Sequence, residues 1–260
     1  MRKIVFVCIV VTSLSFIGCS GENNVKKSGI FGEKVVKYKM KKGGFEPSGV
    51  TKKGDKIYIV SDNGKAAIFK NGKIKYFKLK NKGDYEGITT DGKSFYIVSE
   101  KKASIEKFSE NFEFLKEYKI DKKFNGKRVL KKRGNGLEGI AFLYEDKEGK
   151  RFVVANQSYK NKGKGKSALL FVAIKGEKVR TYGYAPMNIV DISGLYYDKK
   201  RDLLYVLSDT NDKVFVYKLK DMKLLKEFGV PGKEQEGIFK DKNYLYIADD
   251  NGKFFQIKVF

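Results

Sequence analysis

The chain has 260 residues, 41% hydrophobic and 14% aromatic, which is enough apolar material for one sizeable core and excludes a disordered polymer. It contains no His and no Trp, so an imidazole base, a His metal ligand and a His-containing triad are excluded; chemistry falls to carboxylates, Lys, Tyr, Ser or a metal. The formal charge of +24 would attract anions, but Lys is spread through nearly every turn as on a solvated surface, so nucleic-acid binding is not expected.

At the N-terminus, Met1-Arg2-Lys3 precedes an apolar run from Ile4 to Ile17 and then Gly18-Cys19-Ser20. A basic start, an apolar stretch too short to span a bilayer comfortably and small residues at the end predict an export signal over 1–18. Phe16-Ile17-Gly18-Cys19 resembles a bacterial lipobox, in which cleavage occurs before an acylated Cys. Cys19 is therefore the expected lipidation site, residues 19–33 a lipidated tether rich in Gly, Asn, Lys and Ser, and 34–260 the folded domain. An ordinary secretory signal, or an N-terminal anchor helix, with Cys19 incidental is the alternative. On the lipobox reading the protein is exported and lipid-anchored in the cell envelope, and it is expected to be a monomer. Cys8 and Cys19 are the only cysteines, so the mature chain would carry no disulfide and no free thiol nucleophile.

From Phe45 onward the chain repeats. A short step ending in Gly and an apolar residue recurs as Pro47-Ser48-Gly49-Val50, Tyr85-Glu86-Gly87-Ile88, Leu137-Glu138-Gly139-Ile140, Ile192-Ser193-Gly194-Leu195 and Gln235-Glu236-Gly237-Ile238. Each is followed by a β-rich run closing on polar residues, such as Ile57 to Asp62, Phe95 to Glu100, Phe152 to Asn156, Leu204 to Asp209 and Leu245 to Asp249. Successive glycines lie 38, 52, 55 and 43 residues apart, about the length of a four-stranded propeller blade. In the fourth repeat, strands are predicted near 192–197, 203–208, 213–219 and 222–228. Asn-Gly and Asp-Gly pairs at 63–64, 71–72, 91–92 and 251–252 are hairpin signals, and no segment sustains a helical period. The fifth repeat supplies only three strands before Phe260. Lys34 to Met40, which alternates like a strand, would complete its sheet and cover an otherwise open edge. The prediction is an all-β propeller of four-stranded antiparallel blades, five in number with six the alternative. Two long connections stand out, Ile120 to Asn135 and Gln157 to Ser167. The second includes the Lys-rich stretch Lys160 to Lys166.

In such a blade the residue opening the first strand and the residue ending the second meet at one mouth of the central channel. Those positions carry Ser48, Glu86, Glu138, Ser193 and Glu236, and Asp62, Glu100, Asn156, Asp209 and Asp249. Crowded carboxylates repel unless a cation compensates, and oxygen ligands without His or Cys suit Ca2+ or Mg2+ better than Zn2+. Glu86, Glu138, Glu236, Asp209, Asp249, Asp62 and Glu100 are the candidate metal ligands. The competing reading makes each Glu-Gly step a structural device, with Gly allowing close approach and Glu accepting backbone hydrogen bonds. No nucleophile with an adjacent base is evident, so catalytic residues are not assigned.

The ordered set Pro-Ser-Gly-Val, Asp-Tyr-Glu-Gly-Ile, Leu-Glu-Gly-Ile-Ala-Phe, Asp-Ile-Ser-Gly-Leu and Gln-Glu-Gly-Ile, spanning Phe45 to Phe260, resembles the SdiA-regulated (YjiK-like) family of exported bacterial β-propellers, related to esterase-like phytase propellers. The resemblance implies a five- or six-bladed propeller that binds calcium, with phytase-like phosphohydrolase activity, and it carries over directly to Glu86, Glu138 and Glu236. Ser48 and Ser193 depart from a uniform Glu at that step. Two functions follow as expectations: a membrane-tethered module binding Ca2+ and a ligand or envelope partner, or a Ca2+-dependent phosphoesterase acting on a phosphorylated small molecule. Lys101, Lys102 or the Lys160 to Lys166 stretch would help hold phosphate in the second. Adhesion through the outer faces is a third.

Overall fold

A computed structural model describes residues 34–40, 43–79, 83–130, 136–157 and 166–259. The expected signal, tether and lipidation site at Cys19, and nearly all of the Lys160 to Lys166 stretch, lie outside the described residues. The described secondary structure is entirely β, in five four-stranded antiparallel sheets and one short hairpin. β-branched and aromatic runs bounded by Gly, Asn and Asp turns form each sheet, with the inner strands buried between neighbouring sheets and the outermost strands more exposed.

Blade 1 comprises Pro47–Lys53, Lys56–Ser61, Lys65–Lys70 and Lys73–Lys78. Blade 2 comprises Tyr85–Thr90, Phe95–Ser99, Ser104–Phe108 and Phe114–Lys119. Blade 3 has longer strands, Leu137–Asp146, Gly149–Asn156, Lys166–Lys175 and Lys178–Val190. Blade 4 runs Ile192–Asp198, Leu203–Ser208, Lys213–Lys218 and Lys223–Gly229, within a residue or so of the predicted bounds. Blade 5 takes Gln235–Asp241, Tyr244–Asp249 and Lys253–Lys258 from the C-terminal end of the chain. Its outer strand is Lys34–Lys39, antiparallel to Lys253–Lys258 with Lys34 opposite Lys258 and Lys39 opposite Lys253. The expected clasp is thus present, and five is the blade number. The long approach to blade 3 contains a hairpin the sequence did not announce, Lys123–Phe124 with Lys127–Arg128.

The repeated glycines close the ring. A Cβ on Gly49 would lie 2.3 Å from the Glu86 carbonyl oxygen, and one on Gly87 2.5 Å from that of Glu138. Gly139 meets Leu195 N at 2.8 Å, Gly194 the Glu236 carbonyl at 2.9 Å and Gly237 the Ser48 carbonyl at 2.8 Å. Each blade's glycine therefore abuts the next blade's inner strand, and the fifth returns to the first. None of the five has a positive φ. The requirement is for space at the axis and not for a special backbone conformation.

Aromatic and aliphatic side chains fill the seams between blades. Tyr38, Phe69 and Phe254 form one aromatic group between blades 5 and 1, and Tyr58, Phe95 and Phe112 another between blades 1 and 2. At one end of the channel Val50, Ile88, Leu195 and Ile238 line a cavity of about 90 Å³ with Phe142, Tyr196 and Phe239. Thr51, Thr89 and Thr90 share that lining, while the carboxylates of the repeated steps gather at the other end.

Candidate metal centre at the channel mouth

All five inner strands carry a break in register at the same place. Pro47 pairs with Ser61 and Gly49 with Val60; Ile192 pairs with Ser208 and Gly194 with Leu207; Gln235 pairs with Asp249 and Gly237 with Ala248. The extra residue is Ser48, Ser193 or Glu236, and blades 2 and 3 show the same irregularity between Tyr85 and Ile88 and between Leu137 and Ile140. A bulge re-aims the side chain it carries. It sets the Glu or Ser of each step apart from the regular alternation, next to the glycine that occupies the axis.

Glu86, Glu138 and Glu236 come together around the bore. Glu138 is only 6% exposed. Burial, then the negative charge of Glu236 and of Asp84, holds the Glu86 carboxyl well above the usual range. Burial followed by Glu86 and Glu236 does the same to Glu138. Glu236 is pushed up to about 8, by burial and then by Asp209 and Asp191. Among the described residues, no Lys or Arg forms an ion pair with any of the three.

Glu46, Asp62 and Asp250 form a carboxylate group in which one oxygen of each lies within 4.8 Å of the others. Asp62 rises to about 6, through burial and then Glu46. Asp250 rises to about 7, through burial and then Asp62 and Glu46. The local chain explains why Asp250 is poorly satisfied. In blade 4 the corresponding Asp209 accepts a 2.8 Å hydrogen bond from the Gln235 backbone N–H, just before the Glu-Gly step of blade 5. One blade on, the residue in that place is Pro47, which has no N–H. Asp250 Oδ1 is left buried without a hydrogen-bond partner. An orphaned buried carboxylate oxygen beside two other carboxylates fits a hard divalent cation, which would bind the oxygens and remove their repulsion.

The other predicted residues are distributed differently. Asp209 is half-buried at the mouth and raised to about 6, by burial above all, with the Gln235 N–H pulling against it and Asp191 and Asp212 adding to it. Glu100 Oε1 accepts a 2.6 Å hydrogen bond from Gly136 N, tying blade 2 to the approach of blade 3. Asp249 does not stand in the ring with Asp62 and Asp209. It is fully buried one position earlier, opposite Gln235, where its carboxylate accepts from the backbone N–H of Lys233 at 2.9 Å and of Asn251 at 3.2 Å and faces Lys253 at 3.7 Å. Asp250 takes the ring position. Asn156 is likewise one residue early and donates to the Val129 carbonyl at 3.2 Å, with Gln157 following it at the rim. Ser48 and Ser193 hold backbone, Ser48 accepting from Asp62 N at 3.1 Å and Ser193 donating to the Gln235 carbonyl at 2.5 Å.

Sequence reading missed Glu46, Asp84, Asp191, Glu234 and Asp250. The first four stand two residues before the Glu-Gly or Ser-Gly step in blades 1, 2, 4 and 5; in blade 3 that place holds Gly136. Aligning the apolar runs Leu204 to Leu207 and Leu245 to Ala248 without a gap would have matched Asp250 to Asp209.

A family model described as "Phytase-like: Esterase-like activity of phytase" matches residues 42–191. No curated protein matches the chain. Among solved structures, glutaminyl cyclase of Myxococcus xanthus is similar at a TM-score of 0.60 and 11% identity, covering 85% of this chain and 93% of that one. A virginiamycin B lyase from Staphylococcus aureus is similar at 0.53 and 10%, covering 87% and 99%. At those identities the likeness is one of fold. The five-bladed ring, its carboxylate-lined mouth and the match over more than half its length together show that the chain belongs to the phytase-like propeller family.

Proposed function

We propose that the mouth binds a divalent cation, Ca2+ first among them, and through it an anionic ligand such as a phosphorylated small molecule. The observation that carries this reading is the trio Glu46, Asp62 and Asp250 with its unsatisfied Asp250 oxygen. Those three would hold the ion, with Asp209, Glu86, Glu138 and Glu236 around it. The resemblance to the SdiA-regulated branch of exported propellers supports the same reading, as does the lipobox-like start, which would anchor the protein to a membrane through Cys19.

Phosphoester hydrolysis is the second reading, favoured by the description of the matching family. When bound, the cation supplies Lewis acidity and a positive anchor for phosphate oxygens. The chain supplies proton holding. Burial and the neighbouring Asp209 and Asp191 push the Glu236 carboxyl up to about 8 in the metal-free protein, so Glu236 would be the donor to a departing alkoxide oxygen, provided it keeps its proton while Glu46, Asp62 and Asp250 take the ion. The hairpin before blade 3, with Lys123, Lys127 and Arg128, belongs to the segment that leaves the mouth end of blade 2 and touches Asn156 through the Val129 carbonyl, and it would bring positive charge to that side of the disc.

Incubating the metal-stripped protein with phytate and simple phosphomonoesters, with and without Ca2+, separates the readings. Ca2+-dependent phosphate release that falls at least tenfold in Glu236→Gln supports hydrolysis. A Ca2+-induced thermal shift without phosphate release leaves a binding module, and neither effect removes both readings.

A further inference from the structure

The strands give the disc two unlike faces. Inner strands start at the mouth and second strands return to it, so turns between first and second strands, and between third and fourth, all lie on the far face. The exposed large apolar side chains among the described residues are Leu115, Tyr144, Leu224, Leu225 and Tyr244. Every one lies within three residues of the far end of its strand: Phe114–Lys119, Leu137–Asp146, Lys223–Gly229 and Tyr244–Asp249. Leu115 is 51% exposed and Leu225 49%. Between them, Lys147, Lys199, Lys200, Arg201, Lys220 and Lys242 are exposed in the far turns and form no ion pair among the described residues. The acids of the same turns are largely spoken for, Asp146 by Arg151, Asp241 by Lys52 and Asp202 by Lys218, while Asp198 and Asp221 accept backbone N–H groups. The chain also enters the fold here, because Lys34 pairs with Lys258 at the far end of blade 5.

We propose that this far face lies on an anionic lipid bilayer, with Lys and Arg against the headgroups, Tyr144, Tyr244, Leu224 and Leu225 at the interface, and the acidic mouth turned away from the membrane. Cationic side chains mixed with exposed Tyr and Leu suit the headgroup boundary, where each Lys or Arg is attracted to a negatively charged surface. The orientation follows from the same charges, since the crowded carboxylates of the mouth would be repelled. Residues preceding Lys34 would join the propeller on the membrane side. The proposal rests on the membrane attachment proposed above for its setting, but the face makes its own claim about lipid charge.

The test is hydrogen exchange by mass spectrometry on the full chain with vesicles of zwitterionic lipid and with vesicles containing about a third anionic lipid. Protection is expected over 198–203, 218–225 and 241–244 on anionic vesicles only, with none over the mouth segments 61–64 and 208–212. Lys199→Glu with Lys220→Glu should lower binding to anionic vesicles by at least about tenfold, and Lys233→Glu on the mouth side should not. Binding to both vesicles without that protection, or with protection at the mouth, overturns the face while leaving the tether standing. Binding to anionic vesicles alone with far-face protection sustains the face and removes the tether. Failure to bind either removes both.

Discussion

The two faces of the disc use the same residue type in opposite ways. On the far face, Asp91 is buried, which alone would raise its pKa, yet Lys150 at 2.7 Å and the backbone N–H groups of Ser94 and Lys93 bring it down to about 2. At the mouth, Asp62, Asp250 and Glu236 have burial without a cationic partner, and their pKa values rise to about 6, 7 and 8. In a chain of net charge +24, compensating lysines were abundant. Carboxylates left unpaired in such a chain are a cost that a bound cation would remove.

Substitution offers the sharpest way to break this contrast. Asp91→Asn leaves Lys150 with Glu145 alone and also weakens the hydrogen bond from Tyr96. It should destabilise the protein by about 2 kcal/mol, read from denaturant midpoints. Asp62→Asn removes repulsion with Glu46 and Asp250 and should raise the melting temperature of the metal-free protein at pH 8 by a few degrees. Equal losses from both substitutions would show the mouth carboxylates to be ordinary structural groups.

A smaller effect is expected from pH. For the mouth acids the folded pKa exceeds the unfolded one, so their protonated forms favour folding. That contribution is complete below the ordinary carboxyl range near pH 4 and is lost as pH rises through about 6 to 8. Asp91 has the reverse sign, its contribution lost only as pH falls through about 4 toward 2. Thermal melts of metal-free protein should therefore show greatest stability near about pH 4 to 5, falling toward pH 8, and saturating Ca2+ should flatten the fall. A flat profile without Ca2+ would mean the mouth acids are already compensated.

The architecture was legible because its requirements recur. Five glycines at one step, each at a place where a Cβ would come within 2.3 to 2.9 Å of the next blade's backbone, are hard to reconcile with anything but a closed ring. The single outer strand at Lys34–Lys39 was readable from a blade that ran out of chain. The site was harder. The bulge that separates Glu from the alternating pattern leaves no mark in a pairing pattern read as regular. Asp249 and Asp250 are adjacent acids, and only the register of the apolar run before them says which one reaches the ring; the sequence reading chose the one that the backbone of Lys233 and Asn251 already holds. Glu46 and its counterparts escaped because they precede the repeated step. Pro47 entered only as the first residue of a repeated step, whereas its missing N–H leaves Asp250 without the donor that Asp209 has in Gln235.

The most direct measurement is calorimetric titration of Ca2+ into the metal-stripped protein and into Asp250→Asn, near pH 7 in buffers of different ionisation enthalpy. Saturable binding by the unsubstituted protein with release of protons from the mouth acids is expected, with an affinity at least about tenfold weaker in the variant. Absence of binding, or identical binding by the two proteins, would contradict it.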